Sequence, residues 1–257
     1  MRTGHGVSAQ GQRARGGHLG SAWMKSYVLV HGAFHGAWCW RRITALLEES
    51  GAKVYAPALT GLGERRHLAS PDVGLDAHIS DVVSLMKSED ITEAVLVGHS
   101  YSGMVIAAAA DRVPERIRCV VYLDAIVPED GESLADIKGA EWLAGLTERA
   151  REQGGGWFLP PPPAAAFDVF DETDAAWADS LLTPHPVKTF TDRVRLTNPC
   201  ARDLPHVYIA CREQEDSFMH MREGVLARGW QWIEIATGHD AMITAPAELA
   251  RELLRLA

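Results

Sequence analysis

Short apolar runs alternate with amphipathic segments along most of this chain. Apolar runs predict strands at 26–31, 52–59, 94–100, 118–125, 206–211 and 230–236. Between these strands apolar residues recur at helical spacing, for example over 75–90, and the last helix is expected to begin at Pro246. Apolar strands that alternate with helices are typical of a mostly parallel sheet covered on both faces, so the pattern predicts an α/β fold.

One long section interrupts the alternation. Its residues contain no convincing strand, but a helical run, a Gly/Pro-rich stretch and two short helical candidates, at 132–152, 154–167, 173–182 and 186–192 respectively. We therefore predict a helical cap at 129–196, inserted between two strands of a core that comprises 24–128 and 197–257. Residues 1–23 are rich in Gly and Arg and lack any acidic residue, so they are expected to be a disordered extension before a native start at Met24.

The composition mainly excludes certain partners and certain kinds of structural site. The 257 residues are 47% hydrophobic and 23% charged, with a formal net charge of -9, as is typical of a globular enzyme. The sequence has no basic cluster interleaved with aromatic residues and no apolar run of membrane-spanning length, so neither nucleic acid nor a membrane is an expected partner. The 4 cysteines are scattered without C-x-x-C spacing, which argues against a disulfide framework or a metal cluster and favours a reducing cytoplasm.

The segment "GHSYSG" (98–103) joins a predicted strand to a helix of small residues. A serine nucleophile on such a strand-to-helix turn needs small neighbours two positions away on either side, as in the pattern G-x-S-x-G. Gly98 meets this requirement, and Ser102 replaces the second glycine with the next-smallest suitable residue. Ser100 is therefore the candidate nucleophile.

Two further loops suggest a base and a pair of oxyanion donors. His239 follows the last strand, which brings it to the carboxyl edge of the sheet, where the serine turn also points. The loop that begins at Gly32 after the first strand can aim the N–H of Ala33 at a developing oxyanion, and the N–H of Tyr101 would be the second donor. Three other histidines have no independent acid partner and are interpreted as structural or pocket-wall residues: His31, His35 and His99.

Four segments resemble the α/β-hydrolases of the branch that includes plant methylesterases, hydroxynitrile lyases and many bacterial relatives. They are "VLVHGAFHGAWCW", "VLVGHSYSGMVIA", "VVYLDAIVPEDGES" and "GHDAMITAPAELA", and they extend from about residue 27 to the end of the chain. The resemblance implies an α/β-hydrolase fold with an apolar pocket under a cap. It also implies catalytic roles for Ser100 and His239 and oxyanion donors at Ala33 and Tyr101.

Two positions depart from the lyase members of that branch. Those lyases carry a Thr directly after the first-strand histidine and a Lys directly after the catalytic histidine, whereas this chain has Gly32 and Asp240. A departing cyanide needs a cation beside it, and Asp240 has the opposite charge. These departures favour ester hydrolysis.

The acid that would orient His239 has two candidates. The family usually places it just past the strand "VYIAC", where an alignment without gaps gives Gln214, which cannot stabilise an imidazolium. A shift of two residues makes Asp216 the acid, and Glu213 or Glu215 could substitute for it. Asp124, at the end of the strand 118–125, resembles the acid position of haloalkane dehalogenases. An aspartate that closes an apolar strand is costly to bury without a partner, whereas a loop residue such as Asp216 is readily exposed to solvent. This difference slightly favours Asp124 as the residue paired with His239.

These inferences together predict a serine hydrolase that needs neither a cofactor nor a metal. Its expected substrate is a small to medium apolar carboxylic ester, cleaved through an acyl-enzyme. A lyase or C–C bond hydrolase on the same scaffold stays open as one alternative. The other is a hydrolase-like ligand-binding protein without turnover, which the unusual acid position and Ser102 would suit.

Overall fold

The structure is a computed structural model that describes residues 1, 25–212 and 221–256. The predicted native start at Met24, most of the predicted extension before it, and Asp216 with its neighbours lie outside the described residues. The described strands are β1 (Ser26–Val30), β2 (Lys53–Tyr55), β3 (Ala94–His99), β4 (Ile117–Leu123), β5 (Phe158–Leu159), β6 (His185–Pro186), β7 (His206–Cys211) and β8 (Gln231–Ile235).

The described helices cover both faces of the sheet and fill the section between β4 and β7. They are α1 (Arg41–Glu49), α2 (Leu75–Ser88), α3 (Ser102–Arg112), α4 (Leu134–Lys138), α5 (Ala140–Gln153), α6 (Glu172–Asp179), α7 (Lys188–Thr191), α8 (Pro199–Arg202), α9 (Arg222–Ala227), α10 (Ala241–Thr244) and α11 (Pro246–Arg255). Short 3₁₀ helices lie at Ala37–Trp40, Gly63–Leu68, Pro114–Arg116 and Ala164–Phe167. Within the described ranges, no helix has both the length and the apolar character needed to cross a bilayer.

Six of the described strands form one parallel sheet in the order β2-β1-β3-β4-β7-β8. Successive residues of β1 face opposite sides, as the twofold period of a strand requires. Val28 and Val30 join the apolar layer that includes residues of α2 and α3, whereas Tyr27 and Leu29 join the layer that includes residues of α1 and α11. Both faces are thus covered, and the predicted α/β-hydrolase type of sheet is confirmed.

The predicted elements that fall within the described residues are present with ends shifted by a few residues, and three details were wrong. The strand predicted at 52–59 is only Lys53–Tyr55, because β2 is an edge strand and Pro57 lacks the N–H that a ladder needs. The helix predicted at 132–152 is divided into α4 and α5 at Gly139, whose φ of 89° is not helical. The section 129–196 does contain strand, since β5 and β6 pair antiparallel, but two residues each are too few to give a periodic pattern.

The loops that follow β1, β3, β4 and β8 meet at the carboxyl edge of the sheet, the usual position of ligand sites in such folds. Backbone strain is concentrated there. Four of the six non-glycine residues with positive φ in the described chain lie in these loops or touch them: Phe34, Ser100, Asp124 and Asp168. Such conformations cost on the order of 1–3 kcal/mol each and cluster at functional sites.

Candidate active site

Ser100 lies on the turn between β3 and α3. Its φ is 54°, and its backbone is held on both sides. The N–H donates to the carbonyl of Leu123 at 3.1 Å, and the Ser100 carbonyl accepts from the N–H groups of Gly103 and Ile126, each at 3.1 Å. These bonds tie the strained turn to the end of β4, which keeps the hydroxyl-bearing residue at the edge of the sheet.

The small residues around Ser100 are required by close packing. A Cβ on Gly98 would lie 2.8 Å from the side chain of Ile106, and one on Gly103 would lie 1.8 Å from the carbonyl oxygen of Ile126. Ser102 is buried, and its hydroxyl donates a hydrogen bond to the carbonyl of His31. This serine therefore links α3 to the end of β1, a role that its small size alone did not predict.

Asp124 and His239 are brought together at the ends of β4 and β8. The distance from His239 Nδ1 to Asp124 Oδ2 is 2.6 Å, and Asp124 is 1% exposed. The second carboxylate oxygen accepts the N–H of Cys211 at 3.2 Å, so the carboxylate is oriented by the neighbouring strand. Of the two acids considered from the sequence, Asp124 has this contact, while Asp216 lies outside the described residues.

The charge environment favours a protonated His239. Burial lowers the pKa of His239, but the Asp124 hydrogen bond and charge, with further negative charge from Asp240 and Asp168, outweigh burial and raise it overall. His99 packs against this ring with centroids 4.5 Å apart. Burial, reinforced by the charge of His239, holds the pKa of His99 well below its ordinary value, so His99 stays neutral.

The interpretation of His35 as a histidine without an acid partner was wrong. Its Nε2 lies 2.9 Å from Asp240 Oδ2, and both side chains are buried. The two residues are 205 positions apart, but the loops after β1 and β8 converge, which the sequence pattern could not show. The Asp240 carboxylate consequently points into this buried cluster, where His99 Nε2 is also 3.7 Å away.

Three of these groups could also approach a metal ion. Ligand atoms of His99, His239 and Asp240 lie within 4.8 Å of one another. However, the Nδ1 of His239 is already bonded to Asp124, and one carboxylate oxygen of Asp240 is bonded to His35. The geometry therefore suits the stabilisation of a protonated imidazole, and the absence of a metal stays a prediction.

The expected oxyanion donors lie beside Ser100. Ala33 and Tyr101 line the same cavity as Ser100. Among the described residues, neither backbone N–H is used in a hydrogen bond to another protein group. Gly32 lets this loop approach closely, since a Cβ there would be 2.8 Å from His99 Nδ1 and 3.1 Å from Ser100 Cβ. Two free N–H groups beside a serine can receive the oxygen of a tetrahedral intermediate.

A cavity of about 590 Å³ opens above Ser100. Its wall is mainly apolar and aromatic and combines the core with the section between β4 and β7: Phe34, Ile126, Leu134, Trp142, Phe167 and Phe190. Lys138, Glu148 and Arg149 add charged groups to the lining. A cavity with these properties would accept an apolar or aromatic small molecule.

Sequence reasoning missed three polar residues around the site. Asp168 accepts the N–H of His239 at 3.1 Å. His185 accepts the N–H of Phe34 at 3.1 Å, and His78 contacts the hydroxyl of Tyr101 at 2.9 Å. Only His78 gave a signal, a histidine among the apolar positions of a predicted helix. Asp168 follows a short 3₁₀ helix and His185 lies in the two-residue strand β6, so neither belongs to a periodic pattern.

Comparison with known proteins gives the same assignment as the fold. The alpha/beta hydrolase family matches residues 27–252. A carbendazim hydrolyzing esterase from Nocardioides sp. (strain SG-4G) is 37% identical over 91% of this chain and 100% of its own length. A pFDCC methylesterase from Arabidopsis thaliana is 28% identical over 93% of this chain and 97% of its own.

Among solved structures, an extracellular alpha/beta-hydrolase from a Paenibacillus species has a TM-score of 0.80 and 25% identity, with 91% of this chain and 99% of that chain covered. The chain therefore belongs to the α/β-hydrolase family, in the branch of the methylesterases, and is a hydrolase of the carboxylesterase type.

Proposed function

We propose that this chain is a cofactor-independent serine esterase that works through an acyl-enzyme. Ser100 attacks the carbonyl carbon of the ester while His239 takes the hydroxyl proton, and the carbonyl oxygen becomes an oxyanion held by the N–H groups of Ala33 and Tyr101. His239 then gives the proton to the departing alcohol. Water, activated by the same imidazole, attacks the acyl carbon and releases the carboxylic acid and Ser100.

The observation that carries this proposal is the 2.6 Å contact between His239 Nδ1 and Asp124 Oδ2. A buried carboxylate at Nδ1 orients the imidazole and stabilises the imidazolium that forms during both steps. Ser100 lies on a strained turn and directly follows His99, whose ring packs on that of His239. This placement supports the assignment of Ser100 as the nucleophile. In this proposal Asp124, and not Asp216, is the acid.

The cavity supports a carboxylic ester with an apolar or aromatic acyl group as the substrate class. Its lining combines aromatic and aliphatic side chains with Ser100, and its volume of about 590 Å³ is sufficient for a medium-sized molecule. Because the Nocardioides relative is named for carbendazim hydrolysis, carbendazim is the first named compound to test beside simple aryl esters.

The cyanohydrin-lyase alternative has less support. The position of the lyase lysine is Asp240 in this chain, and its carboxylate is buried against His35. It therefore supplies neither a cation nor a direct contact to a leaving group in the cavity. The alternative of ligand binding without turnover is separated from esterase activity by the experiment below.

The test compares wild type with Ser100→Ala, Asp124→Asn and Asp216→Asn, using 4-nitrophenyl butyrate and carbendazim as substrates. We expect Ser100→Ala to lose about 10⁶-fold in kcat and Asp124→Asn to lose about 10⁴-fold, as other triads do. Asp216→Asn is the matched control and should retain wild-type activity. A fluorophosphonate should label wild type at Ser100, as read by peptide mass.

Retained turnover in Ser100→Ala would rule out a Ser100 nucleophile, and activity lost in Asp216→Asn but kept in Asp124→Asn would move the acid to Asp216. A wild type that binds esters in equilibrium dialysis without turnover and resists the fluorophosphonate would support the binding-protein alternative.

A further inference from the structure

A buried histidine from β6 contacts the loop that carries one of the proposed oxyanion donors. His185 is 0% exposed and comes from the section that the sequence predicted as the cap. Its Nδ1 accepts the backbone N–H of Phe34 at 3.1 Å, and its Nε2 lies 2.7 Å from the hydroxyl oxygen of Thr189. Its ring is further fixed by stacking on Phe190, with centroids 4.3 Å apart and planes inclined by 7°.

These contacts determine which ring nitrogen carries the proton. A backbone N–H can only donate, so Nδ1 of His185 must be the unprotonated nitrogen. Nε2 then carries the hydrogen and donates it to Thr189, whose own hydroxyl donates to the carbonyl of Pro186 at 2.8 Å. Burial keeps the pKa of His185 well below its ordinary value, and the neighbouring His78 lowers it further, so the ring remains an acceptor for Phe34.

The segment 183–185 holds Phe34 from both sides. The carbonyl of Phe34 accepts the N–H of Thr183 at 2.8 Å and its hydroxyl at 3.3 Å, while the N–H of Phe34 is held by His185. Phe34 has a φ of 67°, a conformation that a bulky residue keeps only when its surroundings enforce it. The Phe34 N–H belongs to the peptide immediately after Ala33, so the orientation of this turn also sets the direction of the Ala33 N–H.

We propose that His185 is a positioning residue that fixes the Ala33 N–H as an oxyanion donor and so makes the turnover rate depend on the segment 183–185. The inference rests on the proposed esterase function and adds to it a residue outside the Ser100, His239 and Asp124 set. His185 does not touch the reacting atoms in this assignment. It acts through the hydrogen bond to Phe34 and the turn that this bond stabilises.

The test uses two substitutions, each of which keeps a polar atom near only one of the two ring nitrogens of His185. In His185→Asn the side-chain oxygen can take the place of Nδ1 and accept the Phe34 N–H. In His185→Gln the polar end lies near the place of Nε2, so the Thr189 contact can persist while the Phe34 contact is lost. With 4-nitrophenyl butyrate, we expect His185→Gln to lower kcat by about tenfold to a hundredfold with little change in KM, since a misplaced donor weakens transition-state stabilisation. His185→Asn should recover most of kcat.

A second readout measures the oxyanion site directly. A trifluoromethyl ketone forms a tetrahedral adduct with a serine nucleophile, and its affinity should fall in parallel with kcat/KM in His185→Gln and recover in His185→Asn. Thermal melting of each variant is recorded so that a loss of folded protein is not counted as a loss of rate.

The outcomes separate this inference from the function on which it rests. If Ser100→Ala keeps turnover, the esterase proposal fails first. If wild type is active and Ser100→Ala is not, the inference is overturned by a His185→Gln variant with unchanged kcat. It is also overturned if the glutamine and asparagine variants lose kcat equally, which would indicate packing, or if KM alone rises, which would indicate a wall of the substrate cavity.

Discussion

At the scale of single residues, the environment of His239 is set by carboxylates that are distant in the sequence. Asp124 contacts its Nδ1, Asp168 accepts its backbone N–H, and Asp240 follows it in the chain but points to His35. Three negative groups around one imidazole raise the energy of its neutral form relative to the imidazolium. Such an arrangement is useful for a base that must hold a proton for part of each catalytic cycle.

The pH dependence of activity should report this environment. His239 must be neutral to accept the Ser100 proton, so kcat/KM should fall on the acid side, around the pKa of His239 in the free enzyme. Since that pKa is raised above its ordinary value of 6.5, the midpoint should lie above 6.5. Asp240→Asn removes one negative charge but keeps an oxygen for His35, and we expect the midpoint to move to lower pH. Measurement of kcat/KM against pH for both proteins checks this, and an unmoved midpoint would show that the Asp240 charge does not act on His239.

Ser102 provides a stability prediction at the same scale. Ser102→Ala would keep the small size that the turn needs but remove the donor to the buried His31 carbonyl. An unpaired buried acceptor costs about 1–3 kcal/mol, and we expect the free energy of unfolding in urea to fall by that amount. Ser180→Ala is the control, because Ser180 is an exposed serine whose hydroxyl bonds a carbonyl within its own helix turn. Equal losses in both variants would contradict the assigned role of Ser102.

At the scale of elements, the sequence pattern predicted the sheet and its helices well because buried parallel strands are continuous apolar runs. It favoured Asp124 over Asp216 only slightly, since Asp124 ends one predicted strand and Asp216 follows another, and the choice depends on which one meets His239 in space. The pairing of His35 with Asp240 was missed for the same reason. The positions of Asp168 and His185 depend on an irregular section whose path no periodic pattern specifies.

Helix α3 provides the prediction for this scale. Its second residue, Gly103, packs so closely on the loop after β4 that a Cβ would lie 1.8 Å from the carbonyl oxygen of Ile126. Gly103→Ala must therefore push α3 away from the chain that carries Asp124, and we expect the free energy of unfolding to fall by about 3 kcal/mol or more.

Gly145→Ala is the matched control. Among the described residues, no atom outside the adjoining backbone of α5 lies within 4 Å of a Cβ at that position, and alanine favours a helix, so stability should be unchanged or about 0.5–1 kcal/mol higher. A Gly103→Ala variant as stable as wild type would contradict the close packing of this turn.

At the scale of the whole molecule, the section between β4 and β7 is bonded to two different loops of the candidate active site. Thr183 and His185 hold the loop after β1, while the Phe167 carbonyl accepts the N–H of Asp240 at 3.2 Å and Asp168 accepts that of His239. The same section also supplies Trp142 and Phe190 to the cavity wall. A displacement of this section would therefore change the cavity wall, the proposed oxyanion donor and the proposed general base together.

Gly238 is the position where this coupling can be tested with one methyl group. Its Cβ would lie 2.3 Å from the Cβ of Asp168 and 3.0 Å from the Asp168 carbonyl oxygen, so Gly238→Ala must separate the His239 loop from the section 167–168. We expect kcat with 4-nitrophenyl butyrate to fall about tenfold to a hundredfold, because a shift on the order of 1 Å of the base is enough for such a loss.

A second substitution distinguishes this contact from general disturbance. Asp168→Gly removes the Cβ that meets the new methyl group and suits the φ of 62° at that residue, although it also removes the acceptor for the His239 N–H. If the contact is responsible, the double variant should be more active than Gly238→Ala, while Asp168→Gly alone should be less active than wild type. That reversal of sign in a double-mutant cycle indicates that the two positions are coupled, as residues in contact are. Additive losses would instead mean that the His239 loop and the section 167–168 contribute to activity independently.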